Sequence, residues 1–426
     1  MKRCYLSQSY YEVIDLDTTL HTPDGVRDIY GRECAEKHEI ETRILRQFRL
    51  FGYELIETPE FEFFDVFHRA SPGISSREMF KFFDRDNDTL ALRPDITPAI
   101  ARCVAKYFPD TEAPLRFCYL GEVFRNHLNY KGSLGEMTQS GVELVGDSTV
   151  DADAETVALA IESLKSAGLR EFQVEIGQAE FYRGLVEEAG LSREEERTLR
   201  SLIENKNSFG VEEFAEQVIR DPDIRGAIFR LPELFGSISE ISAARSLTTS
   251  ARALKAIRRL EKINEILEDY GLTEYVSYDL GMLSEQEYYT GMIFKAFSYG
   301  TGDYLVNGGR YDRLLTQFGR DLPAVGFAIT VNRLQAALRS QRIEIPLDPP
   351  EALVVYEKAA TADAVRELRE IRAAGKRAVG ELYREKRGMD YYRREACALC
   401  ARRLVLYRGG RQEETVSAEG NREAEV

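Results

Sequence analysis

Two strand-like runs, Leu115–Arg125 and Met137–Val145, are joined by a loop holding Lys131, Gly132 and Gly135, and this pair restricts the fold more than any other stretch. In the second run Gln139, Gly141 and Glu143 are spaced by two, which puts Gln139 and Glu143 on one face of a sheet with only glycine between them. That arrangement predicts a polar shelf with an open centre. A carboxylate beside a carboxamide suits a ligand carrying an ammonium group or a ring N–H. A solvated strand face accounts for the same residues.

The chain on either side predicts an α+β fold. An irregular arm over the first twenty residues leads to a Pro-Asp-Gly turn in residues 21–31, then a helix of about 20 residues with Ile40, Ile44, Leu45, Phe48 and Phe51 at helical spacing, closed by Gly52. Tyr53–Thr58 alternates as a strand, and Pro59 breaks it. FKFFDRDNDTLALRP (80–94) reads as a hairpin with an Asp-Asn-Asp tip, followed by a helix from Pro98 that Asp95 and Thr97 are placed to cap. After a helix at Ala152–Ala167 and a strand at Phe172–Ile176, residues 179–266 form a charged helical block without a useful strand, read as an insertion into a main unit of 1–178 and 267–344. Strands resume within 276–282, 288–299, 303–312 and 324–334, so a mostly antiparallel sheet flanked by helices is expected. Past the linker 345–350, residues 351–409 alternate as a small βαβαβ unit, and 410–426 reads as an acidic, disordered tail.

Charge narrows the function classes. A formal net charge of −15 opposes nonspecific nucleic-acid binding through the bulk surface. Residues 351–426 hold 16 Lys/Arg against 14 Asp/Glu, leaving 41 against 58 before them, so the acidity lies in the first 350 residues. Of the six cysteines, four are scattered at 4, 34, 103 and 118, which fits thiols of a reducing compartment and a cytoplasmic location. Cys397 and Cys400 form a CxxC with no second pair or nearby His, so no metal site is expected and a buried helical turn is. No apolar run reaches spanning length, and the N-terminus lacks a signal-peptide core, so no membrane association is expected.

Five segments in order, LRPDITPA (92–99), FRNH with QSGVELVG (124–146), EYYTGMIF (287–294), GGRYDRLL (308–315) and PAVGFAITVNRL (323–334), make residues 20–340 similar to the core of histidyl-tRNA synthetases, which are class II synthetases. The C-terminal βαβαβ unit resembles a shortened anticodon-binding domain of that family. The resemblance implies that Asp95, Thr97 and Gln139 sit where the family binds the α-amino group of histidine. It also implies that Glu143 and Tyr289 read the imidazole, with Tyr288 and Tyr311 nearby and Arg125 retained in the same pocket. Asp95 stands where the family has Glu, a shorter reach to the same charge. A site with buried partners for both ring nitrogens penalises other amino acids by leaving those partners unpaired.

The nucleotide-handling residues depart from the pattern. The family's FRxE reads here with His127 in the acidic place, its arginine-rich GRYR loop has become GSLG with Ser133 and Gly135, and Ser284 replaces the arginine of LVRGLDYYTG, with Glu285 and Glu287 beside it. Exchanging guanidinium for hydroxyl or hydrogen and adding carboxylates is unfavourable for a triphosphate, at about a few kcal/mol per contact pair in an effective dielectric near 20. Arg125 of the FRxE motif survives, and Arg333, at the remaining arginine position, is kept.

A pocket that keeps amino-acid contacts and loses phosphate contacts resembles the regulatory subunits of ATP phosphoribosyltransferase, synthetase paralogues. That resemblance implies no catalysis and no cofactor. It implies activation of a short-form catalytic subunit in the first step of histidine biosynthesis, assembly with it in a hetero-oligomer (a hetero-octamer), L-histidine as effector, and self-association as a dimer with Tyr53–Phe61 as candidate interface. Binding of tRNA is not expected from a C-terminal unit so weakly basic. The alternatives are an active histidyl-tRNA synthetase, and a synthetase-like amino-acid sensor or carrier-protein aminoacylase.

Overall fold

The computed structural model describes residues 20–70, 73–112, 114–126, 134–283 and 289–416. It divides into two compact units, with the boundary between Ile345 and Pro346.

In the first unit the strands run β1 Glu54–Leu55, β2 Phe61–Phe63, β3 Lys81–Phe83, β4 Thr89–Leu92, β5 Leu115–Phe124, β6 Glu136–Val145, β7 Gln173–Gln178, β8 Phe235–Gly236, β9 Val276–Asp279, β10 Met292–Phe297, β11 Val306–Arg310 and β12 Ala324–Thr330. Nine of them form one sheet in the order β1-β5-β6-β12-β11-β10-β7-β9-β8. Only β1–β5 and β7–β9 pair in parallel, so the sheet is mostly antiparallel, as the order of strand-like runs predicts. The hairpin β5–β6 lies beside β12 near its middle. The remaining three strands make a small sheet, β2-β4-β3, whose turn places Asn87 in the left-handed region at φ 67°.

The helices Gly31–Leu50 and Val150–Ala167 cover one face of the large sheet. Helix Gly31–Leu50 buries Ile40, Ile44 and Phe48, and the Phe48 ring meets Phe327 of β12 edge-on at 5.8 Å. Helix Val150–Ala167 starts where Thr149 Oγ1 accepts the Ala152 N–H and stops at Gly168, whose φ of 104° suits glycine. The opposite face of β6, β11 and β12 is left for the cavity described below.

Residues 179–266 are helical, with segments Ala179–Ala189, Arg193–Glu204, Ser208–Val218, Pro222–Arg230, Ile238–Ala243 and Ala251–Asp269. The sequence pattern predicts no strand there, whereas Phe235–Gly236 forms a two-residue strand on β9. Two residues carry no period that a sequence pattern can register. The run Tyr53–Thr58 is likewise shorter than expected, with only Glu54–Leu55 paired. It is an edge strand rather than an internal one.

In the second unit β13 Ala352–Tyr356, β14 Ala378–Leu382 and β15 Arg403–Tyr407 are parallel, with helices Thr361–Ala373 and Gly388–Ala398 as the connections. A fourth strand, β16 Arg411–Thr415, pairs antiparallel with β15 and corrects the reading of 410–426 as wholly a tail. Its charges are paired: Arg411 with Glu367, Glu413 with Arg403 and Glu414 with Arg393. An acidic composition here means a charged edge strand. Cys400 is exposed with a φ of 52°, just past the end of helix Gly388–Ala398, so the CxxC is not a buried turn.

Candidate functional site

The hairpin register decides which side chains share a face. Tyr119 lies directly opposite Gly141, and Gln139 opposite Gly121. Gln139 and Glu143 do project together from β6, but the centre between them is not open: a methyl on Gly141 would overlap the Tyr119 hydroxyl and the Phe327 carbonyl. The tyrosine of β5 fills the space that glycine leaves.

The face forms one wall of a cavity of about 250 Å³, lined by Asp95, Thr97, Arg125, Gln139, Glu143, Tyr289, Tyr311 and Arg333 together with Glu78, Asp303, Tyr304 and Asn307. Every candidate ligand residue among the described ones therefore lies in a single place. Tyr288, His127, Ser133, Ser284, Glu285 and Glu287 fall outside the described residues. Gly135, at the position of a lost loop arginine, closes the base of the hairpin instead: its N–H donates to the Gly25 carbonyl at 2.7 Å and its carbonyl accepts the Arg125 N–H at 2.8 Å.

Glu143 is the centre of the polar network. It is 1% exposed, accepts from Thr97 Oγ1 at 2.6 Å and from the Tyr311 hydroxyl, and is packed against Gly326, where a methyl would overlap its Oε2. Burial pushes its carboxyl up to about 8, against the two hydrogen bonds, which pull it down, and with a smaller upward push from Asp95. The same burial, with Glu143 alongside, drives the hydroxyls of Tyr311 and Tyr119 well above the ordinary tyrosine range, so both stay neutral donors. Among the described residues the buried Gln139 Oε1 has no hydrogen-bond partner. Such a group is costly to leave unsatisfied, and a ligand supplying a polar partner would satisfy it.

Capping is divided differently from the expectation. The Asp95 carboxylate accepts the Thr97 N–H at 3.3 Å, whereas Thr97 is already the first residue of helix Thr97–Tyr107 and turns its hydroxyl to Glu143. Two arginines reach the cavity, and among the described residues only one is paired with a charge. Arg333 pairs with Asp303 at 2.5 Å, donates to the Tyr304 carbonyl at 2.9 Å and stacks over the Tyr304 ring. Arg125 has its Nε on the Pro94 carbonyl at 3.2 Å. Of the three other arginines in the quoted segments, Arg93 and Arg310 are structural. Arg93 pins β5 through the Glu122 and Thr58 carbonyls, and Arg310 is buried on Asp153.

Sequence reasoning missed Tyr119, Asn307, Tyr304 and Glu78. Tyr119 was within reach, since counting the hairpin register back from Gly141 lands on it. The others come from segments far apart in the sequence: Asn307 on β11, Tyr304 just before it, and Glu78 on the short turn Ser76–Glu78. Among the described residues no group of three or more His, Cys, Asp or Glu is placed to hold a metal ion, and no helix is long and apolar enough to cross a membrane.

Comparison with known proteins follows the same lines. The histidyl-tRNA synthetase family model matches residues 25–334. The ATP phosphoribosyltransferase regulatory subunit of Acetivibrio thermocellus is 43% identical over 357 residues, covering 84% of this chain and 85% of that protein. The protein of the same name from Ruminiclostridium cellulolyticum is 44% identical over 339 residues, covering 80% and 81%. A crystal structure described as an ATP phosphoribosyltransferase regulatory subunit/histidyl-tRNA synthetase, from Bacillus halodurans, superposes with a TM-score of 0.82 at 31% identity over 91% of this chain and 98% of that one. With the α+β class II synthetase fold and this degree of identity over most of its length, the chain belongs to the ATP phosphoribosyltransferase regulatory subunit family, within the histidyl-tRNA synthetase-like proteins.

Proposed function

We propose that the chain assembles with a short-form ATP phosphoribosyltransferase catalytic subunit, activates it in the first step of histidine biosynthesis, and carries L-histidine as feedback effector in the cavity between β6, β11 and β12. The observation that supports this most is the sign of the cavity. Glu78, Asp95, Glu143 and Asp303 line it against Arg125 and Arg333, and Arg333 is already neutralised by Asp303. Two carboxylates, Glu78 and Asp95, and the carboxyl of Glu143, which burial keeps protonated up to about 8, then face one guanidinium, which favours a ligand bearing an ammonium group and a ring N–H and disfavours a triphosphate. Asp95, Thr97 and Gln139 would take the α-amino group, Glu143, Tyr289 and Tyr311 the imidazole, and Arg125 the carboxylate, with Tyr288 adjacent in sequence.

Aminoacylation by the chain itself is expected to be lost. Histidine-dependent exchange of pyrophosphate into ATP should stay at background with purified protein, and turnover at an ordinary enzymatic rate would overturn the assignment. Regulation through the cavity requires linkage: if histidine inhibits the complex, the catalytic partner must change the affinity of this chain for histidine by a corresponding factor. A calorimetric titration of histidine with and without the catalytic subunit is expected to differ by about 5–150-fold, the usual range of allosteric coupling. Equal affinities would remove the regulatory role of the site.

A symmetric dimer fits the edge of the large sheet. Among the described strands β1 pairs only with β5; its Leu55, and Phe61, Phe63 and Phe83 of the small sheet, are between 46% and 66% exposed. An edge strand with an aromatic patch of this kind is a surface that a second copy would cover.

A further inference from the structure

The backbone that carries Tyr289 is held from behind by the helical block 179–266. Arg183, on helix Ala179–Ala189, sends Nη2 to the Tyr289 carbonyl at 2.9 Å and Nη1 to the Thr290 carbonyl at 3.4 Å. One planar fork thus grips two successive peptide carbonyls, a pattern that lysine, with its donors on a single atom, copies poorly. Arg183 is aimed by Glu180, one turn earlier, at 2.8 Å. Glu180 is in turn held by Arg252 of helix Ala251–Asp269, through Nε at 2.6 Å and Nη2 at 2.9 Å, and Arg252 also reaches Glu187.

From the core side, the Thr290 N–H donates to the Arg310 carbonyl at 2.7 Å and the Asp312 N–H to Thr290 Oγ1 at 2.9 Å. The segment therefore has one anchor on the sheet and one on the helical block. Between these anchors the Tyr289 ring, 6% exposed, packs over Gly309 and closes one wall of the ligand cavity.

The clamp is not part of a packed core. It borders a second cavity of about 480 Å³, which Arg69, Arg313 and Gln317 also line, and the side chains of Arg183 and Arg252 each keep 33% exposure. Ion pairs this exposed add little to global stability. Contacts that contribute little to stability yet fix the wall of a binding site act by pre-organising it.

We propose that Arg183 is the positioning residue for Tyr289, and that through Glu180 and Arg252 the helical block sets the affinity of the cavity for its amino-acid ligand. The ligand half of this inference rests on the histidine reading above; the clamp itself does not. A partner or ligand that draws Arg183 away from the two carbonyls would thereby change the affinity of a cavity it never touches.

The test uses the full chain with Arg183→Ala, Arg183→Lys and Arg252→Ala and two readouts. Without ligand, amide hydrogen exchange over residues 289–292 is expected to quicken roughly tenfold in Arg183→Ala, less in Arg183→Lys, and not at all in β5 and β6. Histidine affinity by calorimetry is expected to fall about tenfold in Arg183→Ala, with Arg183→Lys and Arg252→Ala between that variant and the wild type. The graded rescue by lysine separates positioning from a general loosening of the fold. Unchanged exchange over 289–292 in Arg183→Ala overturns the clamp, and faster exchange with unchanged histidine affinity overturns its link to the ligand. Failure of the wild type to bind histidine rejects the histidine reading, and with it the ligand half, while the exchange result decides the clamp by itself.

Discussion

Glu143→Gln is expected to abolish histidine binding, with a loss of roughly a hundredfold or more, and at the same time to stabilise the unliganded protein at pH 8. Both effects come from one buried carboxyl. With 1% exposure and a pKa pushed up to about 8 by burial, Glu143 holds a proton in the folded chain that the unfolded chain releases near 4.5. Over that window the folded state binds more protons than the unfolded one, so this group's contribution to stability falls as pH rises from about 4.5 to 8. Each unit of difference corresponds to about 1.4 kcal/mol, so the cost at pH 8 is on the order of a few kcal/mol. Glutamine keeps the shape and never ionises. The melting temperature of the wild type should therefore drop relative to that of the variant between pH 5 and pH 8, with the largest gap at pH 8.

Binding reverses the balance. A ligand N–H or cation supplies the counter-charge that burial denies, so histidine binding should draw Glu143 back toward the carboxylate and release a proton near neutral pH. Wild-type affinity should accordingly climb between pH 6 and pH 8, and calorimetry in buffers of different ionisation enthalpy should detect the proton. Losing a charge-assisted hydrogen bond in a dry site costs about 3 kcal/mol, which is the hundredfold expected of the variant. Binding by Glu143→Gln within threefold of the wild type would mean that the carboxylate does not read the ligand.

What could be read beforehand divides along physical lines. The period of two in β6 placed Gln139 and Glu143 on one face, and the order of strand-like runs gave a mostly antiparallel sheet, because both are local patterns. Thr97 shows where local reasoning stops. Its side chain is a good cap in sequence, yet a buried carboxylate 46 residues away outcompetes a helix end that Asp95 already serves. The occupied centre over Gly141 fails for a related reason, since the missing side chain on one strand is supplied by the facing strand. The β16 strand was hidden because its charges read as a solvated tail, while their partners lie on helices Thr361–Ala373 and Gly388–Ala398 and on β15. The arginines gave the least away. The same residue type proves to be a cavity-lining cation at Arg125, a neutralised one at Arg333 and a sheet-pinning one at Arg93, and only tertiary partners distinguish them.

Asp153→Ala is expected to be the most destabilising single change in the first unit. Asp153, fully buried on helix Val150–Ala167, accepts from Arg310 at 2.7 Å through one oxygen and from Arg259 of helix Ala251–Asp269 at 2.6 Å through the other. One carboxylate thus ties the sheet to the helical block. Arg310 is 3% exposed and its remaining partners are carbonyls of Asp147 and Thr149 and the partly exposed Asp312, so removing Asp153 strands a buried guanidinium. Breaking a buried pair in this way costs about 3–5 kcal/mol, which for a unit of this size is roughly a 10 °C drop in melting temperature. Replacing both members should be milder, because a buried ion pair often does no better than apolar groups of similar volume, and Asp153→Ala with Arg310→Met is expected to recover part of the loss. The effect should also extend to the ligand site, since the Arg310 carbonyl accepts the Thr290 N–H beside Tyr289. Denaturant unfolding of the two single variants and the double variant gives the coupling energy directly. A single-variant loss under 1 kcal/mol would show that the sheet and the helical block hold together without this carboxylate.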